Sequence, residues 1–562
     1  MKKLLALLLG LLMVLALAAC GQQEPADDVA MQYITAEDLS AALDSGEYLI
    51  LDVRKAEDYA VSHIPGSVSA DMDAAKNGDL EAGKATMTAA TEGVDQSLVL
   101  VCYSGNAYAQ ATTNALSAIG YDMSKVFTLE GGFNNWSEVY PDLVEAGDGA
   151  SVEEVSADDV AAAVGDSNTI ILDLRDDDAY LGYAVDGISR GGHIEGAVQF
   201  CYTWLSYLED TTLQDELNAR NITSDKNIIV YSSNNEEAAD FAAQMADLGY
   251  SVSVFNDLAG WADDASRTLV SAPRKEYLVS ADWLHELISG GTPETYTADK
   301  YVILDCSWGE VGESFTSGHI PGAYHFNTDL MEEDVYWNIR PIDELAEAFT
   351  QFGIDKDTCV IVAGNDSANV RIAYALLYVG FDDIRVFNGN EDTWVAAGYE
   401  LSTGDATPTP VDVADFGYTE FENPQYYIGM PEDVLEAQKD ENFRLVSIRS
   451  WEEFIGETSG YSYIAVAGEP EGAVWGHNTD AYYDVDGTLR NYDELLDMWA
   501  EWDINPEVNH MSFYCGTGWR ATVPFWICYV EGLDNISVYD GGWHAWVLDP
   551  SLPYPYQTGD PR

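Results

Sequence analysis

The sequence predicts an α/β fold of four tandem domains, each a parallel sheet with helices on both faces. Three observations carry that expectation. An apolar run closing in a short polar turn recurs four times, as LILDVR ending at Arg54, IILDLR at Arg175, VILDCS at Ser307 and RLVSIR at Arg449. A second apolar run follows in each copy and leads into a helix-like segment such as AQATTNALSAIG or VRIAYALLYVG. Each copy then closes with a short strand, a Gly or Asn turn and a tryptophan, in LEGGFNNW, NDLAGW, FNGNEDTW and YDGGWHAW. The residue after the second strand lies 34, 30, 31 and 31 positions before that tryptophan (Cys102 to Trp136, Tyr231 to Trp261, Ala363 to Trp394, Cys515 to Trp546). Strands alternating with helical segments build parallel sheets, because a parallel pair needs a crossover long enough to hold a helix. Recurrence at fixed spacing marks repeated copies of one unit.

In chain order, residues 1–20 read as an export signal: Met1-Lys2-Lys3, an apolar run from Leu4 too short to span a bilayer, and small residues before Cys20. Leu17-Ala18-Ala19-Cys20 is similar to the lipobox of bacterial lipoproteins. That similarity implies lipidation of Cys20, anchorage to the bacterial cell membrane and an extracytoplasmic location. GQQEPADD suits a tether, assigned to 21–32. The four domains are assigned to 33–146, 152–272, 277–404 and 424–552. STGDATPTPVDVADFG, rich in small residues and proline, falls in a linker over 405–423. Three copies share a second phrase, SHIPGS, GHIEGA and GHIPGA, while the fourth keeps only PEGAVWG from Pro470.

A chain of 562 residues with 25 Lys+Arg against 97 Asp+Glu carries a formal charge of -72. Nucleic acid is excluded as a partner, since its phosphates would be repelled. With 47% hydrophobic and 12% aromatic residues the composition is that of a folded protein. The cysteines are Cys20, Cys102, Cys201, Cys306, Cys359, Cys515 and Cys528. Their spacing predicts no disulfide framework, and no CxxC or Cys/His cluster points to zinc. No metal or organic cofactor is implied.

In open parallel sheets, sites form at the carboxyl ends of strands, where loops lead into helices. The fourth copy has Cys515-Gly-Thr-Gly-Trp-Arg-Ala521 there. Gly516 and Gly518 permit a tight turn. The backbone amides from Gly516 to Ala521, with Thr517 between the glycines and a helix starting nearby, stabilise negative charge on the sulfur and hold an anion. Arg520 offers paired donors to an oxyanion. Trp519 shapes the mouth or packs behind it. The first copy, CYSGNAYA, keeps Cys102 but has Ala107 further along, which makes Cys102 a candidate second site without an arginine. The second copy has Tyr231 at the cysteine position and Glu236 and Glu237 in the loop, and the third has Ala363. Neither retains a nucleophile.

These phrases together resemble the rhodanese family of sulfurtransferases over almost all of the mature chain. The fourth unit is most similar to the C-terminal domain of periplasmic multidomain thiosulfate sulfurtransferases. The resemblance implies Cys515 as nucleophile and Arg520 as anion binder. It implies a small anionic sulfur donor such as thiosulfate, a persulfide intermediate, and a thiol or cyanide acceptor. The two copies without cysteine become scaffold or shape the mouth of the Cys515 site.

Other features read as structural. YYDVDGTLRNYDE contains a DxDG fragment, but Tyr482 and Asp493 stand at the first and twelfth positions of a calcium loop, which leaves it as a substrate-side or structural loop. Arg449 is a strand-end ion-pair partner, and His63, His193 and His319 fill a hydrogen-bonding role in their shared phrase. Cys359 lies earlier on its strand, in the core. Four residues separate Cys515 from Arg520, one fewer than in tyrosine-phosphatase-type loops, which favours the smaller sulfur substrate. Two further alternatives stand beside sulfur transfer. One is a non-catalytic surface scaffold. The other is a disulfide relay with Cys528, which sits well into the following helix.

Overall fold

Runs such as Tyr48–Asp52 and Cys359–Gly364 are apolar on successive residues, the pattern of a strand covered on both faces. In the computed structural model they form four five-stranded parallel sheets with one strand order. In the first sheet Tyr48–Asp52 lies between Val68–Ser69 and Ser97–Val101, followed by Val126–Leu129 and Tyr33–Ile34. The other three sheets repeat that order around Thr169–Asp173, Tyr301–Ser307 and Phe443–Ser447. The described residues are 29–562 apart from 92, 147–151, 209, 365–366 and 405–412. Cys20, the signal segment, most of the tether and the first part of the linker lie outside them. Two units are distinct, Met1–Ser151 with the first sheet and Val152–Arg562 with the other three.

The repeated phrases are the fastenings of each copy. Arg54 pairs with Asp52 (2.7 Å) and donates to the Ser62 carbonyl (2.7 Å), so the strand end is tied to the SHIPGS phrase. Arg175 does the same with Asp173 (2.6 Å) and the Gly192 carbonyl (2.8 Å). The histidine that follows stacks on an aromatic ring and bonds that residue's carbonyl: His63 with Tyr59, His193 with Tyr180, His319 with Phe315. The same phrase pairs antiparallel with the chain returning from the tryptophan helix, His63 with Glu145, His193 with Val270 and His319 with Ser402. Each closing tryptophan is buried and donates its indole N–H to a carbonyl of that return. Trp136 reaches Leu143, Trp261 Thr268, Trp394 Glu400 and Trp546 Pro555.

Two copies depart from the pattern, and burial shows the cost. In the third, Ser307 replaces the arginine, and burial pushes the Asp305 carboxyl up to about 7. In the fourth, Glu469 takes the histidine position beside the strand pairing with Tyr556–Gln557. Burial pushes Glu469 up to about 9, and it accepts a bond from Gln557 (3.0 Å).

A second fastening positions the loops. Trp543 N–H donates to the Cys515 carbonyl (2.8 Å) and His544 N–H to the Gly516 carbonyl (2.9 Å). Phe133 and Asn134 hold the carbonyls of Cys102 and Tyr103 in the same way (2.7 and 3.0 Å). The close approach requires glycine. A Cβ on Gly542 (φ +55°) would lie 2.5 Å from the Gly516 oxygen, and one on Gly132 (φ +62°) 2.2 Å from the Cys102 oxygen.

Within the second unit, the helices Ala368–Val379 and Thr522–Val530 are buried on every residue and belong to one core. Their apolar residues run all the way round because each is covered on all sides, and Tyr374 meets Phe525 edge to face at 5.0 Å. The YYDVDGTLRNYDE stretch receives a cation from the second domain: Arg220 pairs with Asp484 and with Glu494 (3.2 Å), and Trp204 donates to Asp486 (2.9 Å). Residues 413–423, expected as linker, instead dock on the third domain. Phe416 is buried there, and Tyr418 donates to the Gly380 carbonyl (3.0 Å), because aromatic side chains in that stretch complete the apolar cover.

Both raised carboxyls bind their proton more tightly in the folded chain. Their contribution to stability is therefore complete below about 4 and is lost as pH rises, through about 7 for Asp305 and about 9 for Glu469. Asp305→Asn and Glu469→Gln are expected to flatten that decline, with the gain in unfolding midpoint growing from about pH 4 towards those values; melting curves from about pH 4 to 10 check it. Gly542→Ala is expected to destabilise by roughly 1–3 kcal/mol from backbone strain alone, more with the oxygen clash, and denaturant titration measures it.

Candidate active site

Cys515 directly follows the central strand His510–Tyr514, so sheet geometry delivers it to the carboxyl end. The next residues turn because Gly518 adopts φ +86°, with its Cα close against Asp540. Thr522 bonds back to the Trp519 carbonyl through both N–H and hydroxyl, and the helix Thr522–Val530 begins. Pro524 sits in its first turn, where no N–H is needed. Backbone amides of such a loop and the positive end of a helix favour negative charge nearby.

The predicted residues Cys515, Gly516, Thr517, Gly518, Trp519, Arg520 and Ala521 form this one loop. Cys102 ends the strand Ser97–Val101 of the first unit, buried, with Gly105 in the left-handed region and Ala107 opening the helix Ala107–Ala118. In the second copy the register corrects the expectation. Tyr231 is the last residue of its strand, opposite Asp173 as Val101 is opposite Asp52, so the position of Cys102 and Cys515 belongs to Ser232. The Tyr231 hydroxyl donates to Asp173 (2.6 Å) and accepts from Ile194 N–H (3.0 Å). In the third, Ala363 lies inside the strand Cys359–Gly364 opposite Asp305, in the register of Val101 and Tyr514, so the position expected for Ala363 is held by Gly364, which has no side chain at all. Cys102, Cys201, Cys306, Cys359, Cys515 and Cys528 are all free thiols. Cys528 is buried in the helix, and burial raises its thiol well above the ordinary range. Among the described residues no cluster of His, Cys, Asp or Glu is placed to hold a metal ion, and no helix is long and apolar enough to cross a membrane.

Arg520 stands beside the thiol but is already engaged. Its guanidinium makes two bonds to Glu453 (2.8 and 3.0 Å) and donates to the Tyr461 hydroxyl (2.8 Å), leaving its Nε–H without a partner. A cation this enclosed needs a counter-charge, which is why it is not the open anion clamp that the sequence suggests. Glu453 also pairs with Arg449 (3.4 Å) and closes the capping box of Ser450. Burial favours its protonated form, but the bonds and charge of Arg520 outweigh burial and hold Glu453 below the ordinary range. Arg449 donates to the Gly468 carbonyl (2.6 Å), the structural role expected of it.

Sequence reasoning missed the aromatic cover and its support. Cys515 has no exposed surface. The Tyr461 ring lies over Gly516, close enough that a Cβ there would sit 2.2 Å from it. Tyr463 packs near Tyr461 and meets Trp337 edge-on at 4.7 Å, and Trp337 stacks on His544 at 5.0 Å. Burial, then the adjacent Cys515, pushes the Tyr463 hydroxyl up to about 12. Trp337 comes from the third domain, a contribution with no local signature. Glu453 was legible as the fourth residue after Arg449 in a capping box.

A family profile for the rhodanese-like domain matches residues 35–139, 156–263, 280–397 and 430–549. The thiosulfate sulfurtransferase YnjE of Escherichia coli is 35% identical over 391 residues, spanning 68% of this chain and 88% of the relative. The anaerobic ergothioneine biosynthesis enzyme from Chlorobium limicola, solved with its natural substrate trimethyl histidine, superposes with a TM-score of 0.69. It is 32% identical over 73% of this chain and 100% of that one. A variant of EanB, solved with ergothioneine covalently linked with a persulfide cysteine, is 31% identical with the same TM-score and coverage. Four matched domains and a relative at this identity place the chain in its class: it belongs to the rhodanese family and is a rhodanese-type sulfurtransferase.

Proposed function

We propose that the fourth domain moves sulfane sulfur from thiosulfate, or a similar anionic donor, to a thiophilic acceptor through a persulfide on Cys515. The observation that carries this is the placement of Cys515 directly after a central strand, at the head of a glycine-containing loop that leads into the helix Thr522–Val530, with Arg520 in that loop. The thiolate attacks the outer sulfur of thiosulfate; a new S–S bond forms, the old one breaks, and sulfite leaves with the electron pair. A thiol or cyanide then attacks the outer sulfur of the persulfide and restores the thiolate. The loop amides and the unpaired Arg520 Nε–H meet the anionic oxygens, while Glu453 keeps the guanidinium in place. Because Tyr461 covers Gly516, the donor gains access when the segment carrying Tyr461 swings out.

A second reading of the acceptor rests on the aromatic faces beside the thiol. Tyr461, Tyr463 and Trp337 suit a flat or cationic acceptor, and the solved relatives bind trimethyl histidine and ergothioneine. The proposal also places the protein outside the cytoplasm, anchored through lipidated Cys20, on the strength of the Leu17–Cys20 sequence.

Intact mass after thiosulfate exposure is expected to rise by about 32 Da, one sulfur atom, and the gain to vanish in Cys515→Ser. A remainder lost only in Cys102→Ser would make Cys102 a second carrier. No gain with thiosulfate or 3-mercaptopyruvate favours the binding scaffold. Incubating the loaded protein with trimethyl histidine or with cyanide, and identifying the product by mass, separates the two acceptors. Cys20→Ser is expected to shift the protein from the membrane fraction to the soluble fraction.

A further inference from the structure

The third domain has no nucleophile, yet it supplies much of the surroundings of Cys515. Its segment from Glu332 to Ile339 folds back on itself through a bridge between those two residues and lies against the fourth domain. Asn338 donates to the Gly429 carbonyl (3.0 Å), Ile339 N–H to Asp540 (2.8 Å), and His544 bonds the Val335 carbonyl (3.1 Å). Trp337 at its tip has φ +58°, a conformation bulky residues avoid, and its ring is held between Tyr463 and His544. Strain of that kind persists where surrounding contacts impose it, often beside a site.

Beneath the catalytic loop the third domain places a cation. Arg371, in the first turns of the helix Ala368–Val379, has no exposed surface. Its guanidinium pairs with Asp540 (2.5 Å) and Glu332 (3.1 Å) and donates to the Trp337 carbonyl (3.2 Å). Glu332 accepts the Trp519 indole N–H (2.6 Å), and Asp540 lies directly under Gly518. Asp540 also precedes Gly541 and Gly542, which start the helix whose amides hold the carbonyls of Cys515 and Gly516. One buried cation therefore reaches the catalytic loop twice, through Asp540 and through Glu332 to Trp519.

We propose that Arg371 and Glu332 of the nucleophile-less third domain are positioning residues for sulfur transfer at Cys515. Neither touches the donor. Arg371 fixes Asp540 and the helix start that orients the Cys515 and Gly516 carbonyls, and Glu332 fixes Trp519. The loop between Cys515 and Trp519 is thereby held in one conformation. The third domain has kept the loop-and-helix unit of its relatives and turned it from chemistry to support.

This rests on the persulfide reading, and the test separates the two. In the full-length protein, the rate of the Cys515 sulfur gain is followed by mass at increasing thiosulfate for wild type, Arg371→Met, Arg371→Lys, Glu332→Gln and Trp519→Phe. Arg371→Met is expected to lower the maximal rate roughly 10- to 100-fold, with the half-saturating concentration within about threefold of wild type. Arg371→Lys, which keeps the charge, is expected to recover part of the rate. Glu332→Gln and Trp519→Phe cut one shared bond, so their double variant is expected to be no slower than the worse single one. If Arg371→Met fails to fold, the two milder variants decide. Maximal rates within about twofold of wild type in the folded variants would overturn the proposal while leaving the persulfide intact. Absence of sulfur gain in wild type would overturn both.

Discussion

Two helices without a solvent face, Ala368–Val379 and Thr522–Val530, are the joint on which the second unit depends. Each is the helix that leaves the catalytic-loop position of its own sheet. Packing them together brings the loop ends of two domains into one neighbourhood, and burying every residue on both makes the join part of the core. Arg371 and the Cys515 loop are neighbours for that reason alone.

Once the loop ends are enclosed, charge has to be balanced locally. Arg520 and Arg449 share Glu453, and Arg371 divides between Glu332 and Asp540. Burial drives Glu332 up to about 7, against the pull of Arg371. Guanidiniums suit such places because they present several donors in a fixed plane and stay charged. The result is that each of these buried arginines around the Cys515 loop is already tied to a carboxylate. For the proposed anionic donor, little free positive charge is left, and backbone amides of the loop become the main donors on offer.

Much of this was written in the chain. Alternating strand and helix phrases specified the sheets, because their periodicity and spacing are local properties. The loop from Cys515 to Ala521 was legible as one site because its residues are contiguous. Arg449 and the histidines were read as structural and make the bonds that such a role asks for, and the tryptophan spacing has its cause in the indole bond to the returning chain. What was not legible came from other domains or distant loops. Trp337 and Glu332 carry no motif, and Tyr461 gives no sign that it will lie over Gly516. Arg520 looked free because its partner, Glu453, is 67 residues away in sequence. The docking of residues 413–423 was hidden by the small residues and proline just before them.

The complete burial of Cys515 beneath Tyr461 carries a kinetic meaning. In the proposed reaction, a sulfur atom held there is shielded from bulk reductants and oxidants for as long as the cover over it stays closed. The carrier then chooses its acceptor by timing and shape: a molecule must already be waiting at the mouth when the cover lifts. A closed resting state lets the proposed carrier hold its cargo without losing it to whichever thiol collides first.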